Sequence, residues 1–205
     1  MHLIPNQEEV EHLLRETGAL RTGHFEHPNG LHANEYLQIQ CALRDYHNAK
    51  VLSVSLSRKL RANPEIRSML PNVSIVAPAP AGLPVAYGIC EALQAKRVYW
   101  TEEVSSETKQ QKFRQFIQPE KGEQVILVDD ILRSGRKVTE LKKELEKHGA
   151  EVIALAFLAY QPTPDTPNFG DIPVYYLAKL EPTYYRDSKS CELCKSGSVA
   201  QKVAI

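Results

Sequence analysis

Short continuous runs of apolar residues, separated by amphipathic stretches, dominate the chain after about residue 70. Five such runs predict strands buried on both faces, as in a parallel sheet: residues 73–77, 97–100, 124–129, 152–158 and 174–180. A helix is predicted at 82–93. Another follows the third strand, where Val138, Leu141 and Leu145 recur at helical spacing before Gly149. Strands that alternate with helices predict an α/β fold with right-handed crossovers.

The N-terminal part of the chain follows a different pattern. Residues 7–17 predict an amphipathic helix, and residues 48–62 predict a second helix that ends before a proline. Between them, the Pro-Asn-Gly turn signal at 28–30 precedes a strand-like stretch at 36–39. We therefore expect a small β-hairpin beside the main sheet.

The third predicted strand ends in two adjacent carboxylates, Asp129 and Asp130, and a Ser-Gly loop leads from it into the next helix. The carboxyl ends of strands in an open α/β sheet form the usual ligand crevice, and a helix N-terminus suits a phosphate. Carboxylates repel a phosphate but suit sugar hydroxyls or a metal ion. The first hypothesis is a ligand with a phosphate at one end and a polyol in the middle. The alternative is that the pair merely ends a strand and caps a helix.

Two further segments belong to this hypothesis. The small residues of loop 77–84 would let backbone amides approach an anion closely, although the loop could equally be a proline-stiffened connection. The polar stretch 102–111 lacks apolar periodicity, which is typical of a mobile lid and also of an ordinary solvated loop.

The composition limits the kinds of binding partner that are expected. The 205 residues fit one domain with a small appendage. Because 25 basic residues balance 25 acidic ones, no basic patch is implied and nucleic acid is not an expected partner. No apolar run approaches the ~20 residues that span a bilayer, and the first residues do not resemble a signal peptide. We expect a cytoplasmic protein without a membrane partner.

Four cysteines do not form a disulfide framework in a chain of this length. Cys41 and Cys90 lie among apolar neighbours and are predicted to be buried small hydrophobes. Cys191 and Cys194 form one C-x-x-C pair. A structural zinc site takes four ligands, and no second pair or neighbouring histidine completes this one along the sequence. Free thiols or a labile disulfide are therefore favoured, while a metal site, with ligands shared across a dimer, stays an alternative.

The segment 125–135 resembles the phosphoribosyl-pyrophosphate (PRPP) motif of type I phosphoribosyltransferases. The resemblance extends to the orotate branch of that family over nearly the whole chain, through residues 16–20, 23–25, 29–32, 36, 147–152 and 191–197. It implies a Rossmann-like parallel sheet flanked by helices under a small N-terminal hood. The implied division is a helix and hood segment at 1–45, an α/β core at 46–185 and a C-x-x-C tail at 186–205.

The resemblance also implies a glycosyltransferase reaction. Ribose 5-phosphate would pass from PRPP to a nucleobase, orotate first among the candidates, in pyrimidine nucleotide biosynthesis. Mg²⁺ would be bound mainly through PRPP, and the enzyme would be a homodimer. The implied site residues are Asp129, Asp130 and Lys109 for catalysis; Asp129, Asp130, Arg133, Ser134, Gly135, Arg136 and Lys137 for the ribose and its 5′-phosphate; Ala79, Pro80, Ala81 and Gly82 for pyrophosphate; and Phe25, Asn29, Gly30 and Gln161 for the base.

The sequence departs from the family pattern at several of these positions. Arg133 and Lys137 replace hydroxyl residues of the phosphate loop, although cations also bind phosphate. Glu102 stands where the family has an arginine before the lid, and Gln161 where it has the arginine that binds orotate. The pyrophosphate loop also has alanines in place of glycines. These departures leave two alternatives to an orotate enzyme: a transferase for a base without a carboxylate, and a PRPP- or nucleotide-binding regulatory protein without transfer activity.

Overall fold

The computed structural model describes residues 4–105 and 110–203. In chain order its elements are α1 Gln7–Glu16, β1 Leu20–Glu26, β2 His32–Leu37, α2 Gln40–Leu43, α3 Tyr46–Ala62, α4 Pro64–Met69, β3 Ser74–Pro78, α5 Leu83–Leu93, β4 Val98–Glu103, β5 Gln111–Phe113, β6 Gln124–Leu132, α6 Arg136–Lys147, β7 Glu151–Tyr160, β8 Val174–Lys179, β9 Tyr184–Tyr185, α7 Glu192–Lys195 and β10 Gln201–Lys202. The five predicted core strands and the helices between them are present. The α/β prediction is confirmed.

The main sheet has the strand order β5-β4-β3-β6-β7-β8, and its neighbours are parallel except for the antiparallel pair of β4 and β5. From β3 the chain crosses through α5 to β4 on one side. From β6 it crosses through α6 to β7 on the other. The connections therefore diverge between β3 and β6, and this switch point is where open α/β sheets bind their ligands.

The position of β6 between two helical layers explains the continuous apolar run from Val125 to Val128. Ile126 and Val128 pack into the cluster formed with α1, α3 and α5, whereas Val125 and Leu127 pack into the cluster formed with α6. Side chains alternate between the two faces of a strand, so a strand covered on both faces needs apolar residues at every position. The sheet is thus held between two helical layers.

A second sheet, which we call the hood sheet, has the order β10-β1-β2-β9. Its centre is the predicted hairpin, formed by β1 and β2, but β2 spans His32–Leu37 and not 36–39 as predicted. The C-terminal segment adds β9 antiparallel to β2 and β10 parallel to β1. The predicted domain boundaries at 45/46 and 185/186 stay a prediction, and the hood sheet joins both ends of the chain.

The end of strand β6 also differs from the prediction. Strand β6 continues to Leu132, so the acid pair lies within a strand and not at its end. The extension arises because β7 pairs with β6 as far as Leu132, whereas pairing with β3 ends at Leu127. On the β3 side the acid pair is therefore already beyond the paired region and faces the crevice.

The predicted lid segment begins and ends in regular structure. Glu102 and Glu103 belong to β4 and pair with Lys112 and Gln111 of β5. Its tip, which includes Lys109, lies outside the described residues. Within the described ranges no helix is long and apolar enough to cross a membrane.

Candidate functional site

The acid pair lies at the switch point and is almost completely buried, with Asp129 4% and Asp130 6% exposed. Backbone N–H groups hold both carboxylates, since Asp130 N donates to Asp129 Oδ1 (2.9 Å) and Ile131 N donates to Asp130 Oδ1 (2.8 Å). Gln40 of α2 donates to Asp130 Oδ2 at 2.6 Å. Burial first, and then the neighbouring charge of Asp130, raise the pKa of Asp129 well above its usual range. Hydrogen bonds thus fix the position of the acid pair, and burial beside Asp130 makes ionisation of Asp129 unfavourable.

The loop that follows β3 packs directly against the acid pair. A Cβ atom at Gly82 would lie 2.9 Å from the Pro78 carbonyl oxygen and 3.1 Å from Asp129 Oδ1, so only glycine fits without displacement. Ala79 N donates to the Thr101 carbonyl oxygen at 2.8 Å, which anchors the loop to β4. Residues 79–82, predicted to receive pyrophosphate, therefore border Asp129 across the switch point.

The loop that follows β6 forms the N-terminus of α6. Gly135 caps the helix with a φ of +70°, and its carbonyl oxygen accepts hydrogen bonds from Thr139 N (2.9 Å) and Thr139 Oγ1 (3.0 Å). The first N–H groups of a helix have no intrahelical acceptor and form an anion site. Ser134 and Arg136 are exposed, and the charge of Lys137 partly offsets the raised pKa of Asp129. This is the geometry expected of a phosphate loop.

The proline-rich segment between β7 and β8 covers this loop. A Cβ atom at Gly135 would lie 2.7 Å from Pro167 Cδ and 3.1 Å from Phe169 Cζ. The Thr166 hydroxyl also donates to the Arg133 carbonyl oxygen. Glycine at position 135 is therefore required by both the backbone conformation and the packing.

We expect Gly135→Ala to lower the free energy of unfolding by about 1–3 kcal/mol, since the substitution adds backbone strain to a steric clash. For a chain of this size each kcal/mol corresponds to about 2–4 °C in Tm, which calorimetry measures. Gly122→Ala is the matched control, because Gly122 has a φ of +79° and no atom within 4 Å of its added Cβ. Equal losses in the two variants would show that packing on Pro167 contributes nothing.

A polar pocket surrounds Arg133, between β6 and the hood sheet. Arg133 Nε donates to Gln161 Oε1 at 2.9 Å, and Nη2 donates to the Leu37 carbonyl oxygen at 3.2 Å. Three buried polar atoms near it have no hydrogen-bond partner within the described residues: His27 Nε2, Gln161 Nε2 and the Tyr184 hydroxyl. We call Arg133, His27, Gln161 and Tyr184 together the Arg133 pocket. Unpaired buried polar groups are rare, so their concentration here is typical of a binding site for a polar ligand.

Charge in the Arg133 pocket favours neutral forms of its other groups. Burial, the Arg133 charge and His32 lower the pKa of His27 to about 4, so His27 is neutral at physiological pH. Burial raises the pKa of Tyr184 and the Arg133 charge opposes this shift, so the phenol keeps its proton. The pocket thus presents one fixed positive charge among neutral hydrogen-bonding groups.

The residues predicted to bind the base lie around this pocket. Gln161 is within it. Phe25 is buried in the hood sheet against Tyr36, with ring centroids 5.6 Å apart. Asn29 and Gly30 form the β1–β2 turn, in which Gly30 N donates to the His27 carbonyl oxygen at 2.8 Å. Sequence reasoning missed His27, which borders the turn motif, and Tyr184, for which no sequence signal exists.

Glu102, which stands where the resemblance implies an arginine before the lid, forms an ion pair. Glu102 accepts hydrogen bonds from Arg114 Nε and Nη2, both at 2.9 Å. Arg136 of the phosphate loop lies 3.7 Å from Glu103. The charge of Glu102 is therefore balanced by Arg114, which directly follows β5, and this reduces repulsion of an anion bound nearby.

The C-x-x-C cysteines are both free thiols in this structure, and the expectation that no histidine lies near them is wrong. His24 and His32 of the hood sheet are within 3.6 Å of one or both sulfurs. Cys41 and Cys90 are half-buried at the edge of the core and not fully buried as predicted.

Residues 56–172, more than half of the chain, match the family model of the phosphoribosyl transferase domain. The chain belongs to the phosphoribosyltransferase family. Among curated relatives, the orotate phosphoribosyltransferase of Carboxydothermus hydrogenoformans is 30% identical over 90% of this chain and 91% of its own length.

Solved phosphoribosyltransferases share the fold. The orotate phosphoribosyltransferase of Aeropyrum pernix has a TM-score of 0.66 at 18% identity, covering 83% of this chain and 93% of that one. An adenine phosphoribosyltransferase from Thermoanaerobacter pseudethanolicus has a TM-score of 0.59 at 18% identity, covering 71% of this chain and 88% of that one. Because members of this family with different bases share one fold, the base must be argued from the site.

Proposed function

We propose that this phosphoribosyltransferase transfers ribose 5-phosphate from PRPP to orotate and releases pyrophosphate, a step of pyrimidine nucleotide biosynthesis. The observation that carries the proposal is the Arg133 pocket, a polar pocket with one fixed cation, whose arginine follows the acid pair by three residues. A base with a carboxylate is the ligand that such a pocket suits best. The orotate relative matched over nearly its whole length supports the same choice.

The PRPP end of the site follows from three neighbouring groups. Asp129 and Asp130 would accept hydrogen bonds from the ribose hydroxyls, and the amides of 133–137 would hold the 5′-phosphate. Loop 79–82 would receive the pyrophosphate group. Mg²⁺ would be bound mainly through PRPP, and the carboxylate oxygens of the acid pair are a ligand type that suits this ion. It would neutralise charge on the leaving pyrophosphate. The protein's own contribution is positioning and electrostatic stabilisation of an oxocarbenium-like state.

The proposed binding of the base depends on Arg133. The family's orotate-binding arginine is replaced by Gln161, but the Arg133 guanidinium lies at Gln161 itself, 2.9 Å from its side-chain oxygen. We assign to Arg133 the carboxylate of orotate, because a planar guanidinium binds a carboxylate through two parallel hydrogen bonds. His27, Gln161 and Tyr184 would then serve the polar edges of the ring with atoms that are otherwise unpaired.

A pyrophosphate-release assay with PRPP, Mg²⁺ and a panel of bases tests this proposal. We expect release with orotate and little with adenine, hypoxanthine or uracil. Uracil is the sharpest comparison, since it differs from orotate only by the carboxylate. Release with uracil but not orotate would point to a base without a carboxylate. If no base gave pyrophosphate release while calorimetry still detected PRPP binding, the alternative of a binding protein without transfer activity would be established.

We also propose the remaining features that the resemblance implies. The protein would act in the cytoplasm as a homodimer, with Lys109 as a catalytic cation of the lid. Residues 1–45 would serve as the hood segment, 46–185 as the catalytic core and 186–205 as the tail. Light scattering with size-exclusion chromatography measures the assembly directly.

A further inference from the structure

Four side chains that the proposed reaction does not use converge where the C-terminal tail meets the hood sheet. They are His24 of β1, His32 of β2, Cys191 before α7 and Cys194 within it. One ligand atom from each residue lies within 4.8 Å of all the others. Both histidines and Cys191 are buried, and Cys194 is half-buried. Two imidazoles and two thiols therefore share one small, largely water-excluded space.

The separations between these atoms match a tetrahedral metal site. Cys191 Sγ lies 3.4 Å from His24 Nε2, and Cys194 Sγ lies 3.5 Å from His32 Nδ1 and 3.6 Å from His24 Nε2. Zinc bonded tetrahedrally to nitrogen at about 2.0–2.1 Å and to sulfur at about 2.3 Å requires sulfur–nitrogen separations of about 3.5 Å. The two nitrogens are 2.8 Å apart, so they would separate by about half an ångström to reach the ~3.3 Å of such a site.

Hydrogen bonding among the four groups satisfies only some of these contacts. His24 Nδ1 lies 3.0 Å from the Ser198 carbonyl oxygen, which only accepts, so Nδ1 carries the proton. In the neutral ring His24 Nε2 then has a single lone pair. Around that lone pair lie His32 Nδ1, Cys191 Sγ and Cys194 Sγ. A single lone pair cannot form good hydrogen bonds with all three of these neighbours, whereas a cation would use a lone pair from each of the four atoms.

The Ser198 contact is itself typical of a metal-binding histidine. A ligand imidazole usually donates its other N–H to a carbonyl or carboxylate oxygen, which fixes the tautomer and the ring orientation. For His24 that acceptor belongs to the same tail segment that supplies the cysteines. The tail therefore contributes both ligands and a contact that orients a ligand.

The fold explains how residues so distant in sequence meet. His32 pairs with Glu26 across the hairpin, and His24 lies in the irregular stretch of β1 between Thr22 and Phe25. The two imidazole rings meet there, with their centroids 5.0 Å apart. The tail places Cys191 and Cys194 on a single turn, in which Lys195 N donates to the Cys191 carbonyl oxygen at 3.2 Å. Beyond that turn, β10 pairs with β1 at Phe25 and Glu26.

We propose that His24, His32, Cys191 and Cys194 form a structural zinc site that fastens the C-terminal tail to the hood sheet. Two thiolates with two imidazoles are a donor set that selects zinc over harder cations such as Mg²⁺. Four protein ligands leave no position for substrate, so the role is structural. The metal would brace the hairpin whose turn carries His27 of the Arg133 pocket, yet the site does not depend on the proposed reaction.

Metal analysis of the purified full-length protein tests the site. We expect about one zinc ion per chain by plasma mass spectrometry, released on unfolding in guanidinium chloride and detected with a chromogenic chelator. Cys194→Ser should lose the metal, whereas Cys90→Ser, the matched control at a half-buried cysteine elsewhere, should retain it. Removal of the metal from the wild type by a strong chelator should lower Tm by roughly 10 °C, and added zinc should restore it.

A second measurement covers the case in which Cys194→Ser fails to fold. Cobalt(II) added to metal-free wild-type protein should give the intense absorption of tetrahedral cobalt with thiolate ligands, and zinc should displace it. Absence of these bands, together with no bound zinc and a Tm that neither chelator nor zinc changes, would overturn the proposal. A Cys191–Cys194 disulfide found by mass spectrometry in freshly purified protein would overturn it as well.

Discussion

Replacing Asp129 and Asp130 together by asparagine is expected to abolish PRPP binding while leaving the protein folded. The ribose hydroxyls would lose the carboxyl oxygens of the acid pair as acceptors, and a hydrogen bond to a charged group contributes about 1.5–3 kcal/mol. The affinity for PRPP with Mg²⁺ should therefore fall at least roughly 100-fold. Asparagine keeps the size and one acceptor oxygen, so the bonds from the backbone N–H groups of Asp130 and Ile131 can persist. Isothermal titration calorimetry measures the loss.

The same substitution should make the free protein more heat-stable at neutral pH. Burial raises the pKa of Asp129 above its unfolded value, so between the two values the folded state binds more protons than the unfolded state. The stability due to this group is present in acid and is lost as pH rises through the folded pKa. Removing the charge at Asp129 should therefore raise Tm most above that pKa and least near pH 4.

Asp171→Asn is the control for both effects, because Asp171 is an exposed carboxylate outside the proposed site. It should leave the PRPP affinity and the pH dependence of Tm as in the wild type. Unchanged PRPP affinity in the double variant would contradict the assignment of the acid pair to ribose. A lower Tm at neutral pH would show that the pair stabilises the free fold, contrary to the electrostatic argument.

Arg133→Gln is expected to raise the KM for orotate roughly 100-fold with a much smaller effect on the KM for PRPP. Loss of a buried, hydrogen-bonded charge partner costs about 2–5 kcal/mol, and about 3 kcal/mol corresponds to this factor. The KM for orotate of Arg133→Lys should lie between those of the wild type and Arg133→Gln, since lysine keeps the charge but not the planar pair of donors. Steady-state kinetics with each substrate varied in turn provides the measurement.

This experiment also separates the two roles open to Arg133. Its place in the phosphate loop predicts contact with the 5′-phosphate, whereas its side chain in the structure reaches Gln161 and Leu37. A rise confined to the KM for PRPP would restore the phosphate role and contradict the base assignment. Arg67→Gln, at an exposed arginine of α4, should change neither constant.

Much of the main sheet could be predicted because its signals are local. Where a strand is covered on both faces its residues are apolar at successive positions, and β6 shows this from Val125 to Val128. The acid pair and the Ser-Gly loop were recognisable for a similar reason, since the strand, the loop and the helix that position them are consecutive in the chain. The extension of β6 to Leu132 was not predictable, because it depends on pairing with β7.

The hood sheet and its contacts could not be predicted in the same way. Strands β9 and β10 have two residues each, too few for a periodic pattern, and exist only because β2 and β1 offer them edges. The Arg133 pocket depends on the direction of one long side chain between two sheets. His24 and Cys191 are 167 residues apart, and no spacing rule connects them.

The sequence by itself therefore determined the layered α/β sheet and the consecutive residues proposed to bind ribose 5-phosphate, because each of these is encoded by neighbouring residues. Only the tertiary structure decided which groups form the Arg133 pocket and which side chains lie between the tail and the hood sheet. Those groups come from both ends of the chain and from the end of β6, and folding, not sequence proximity, brings their charges and lone pairs together.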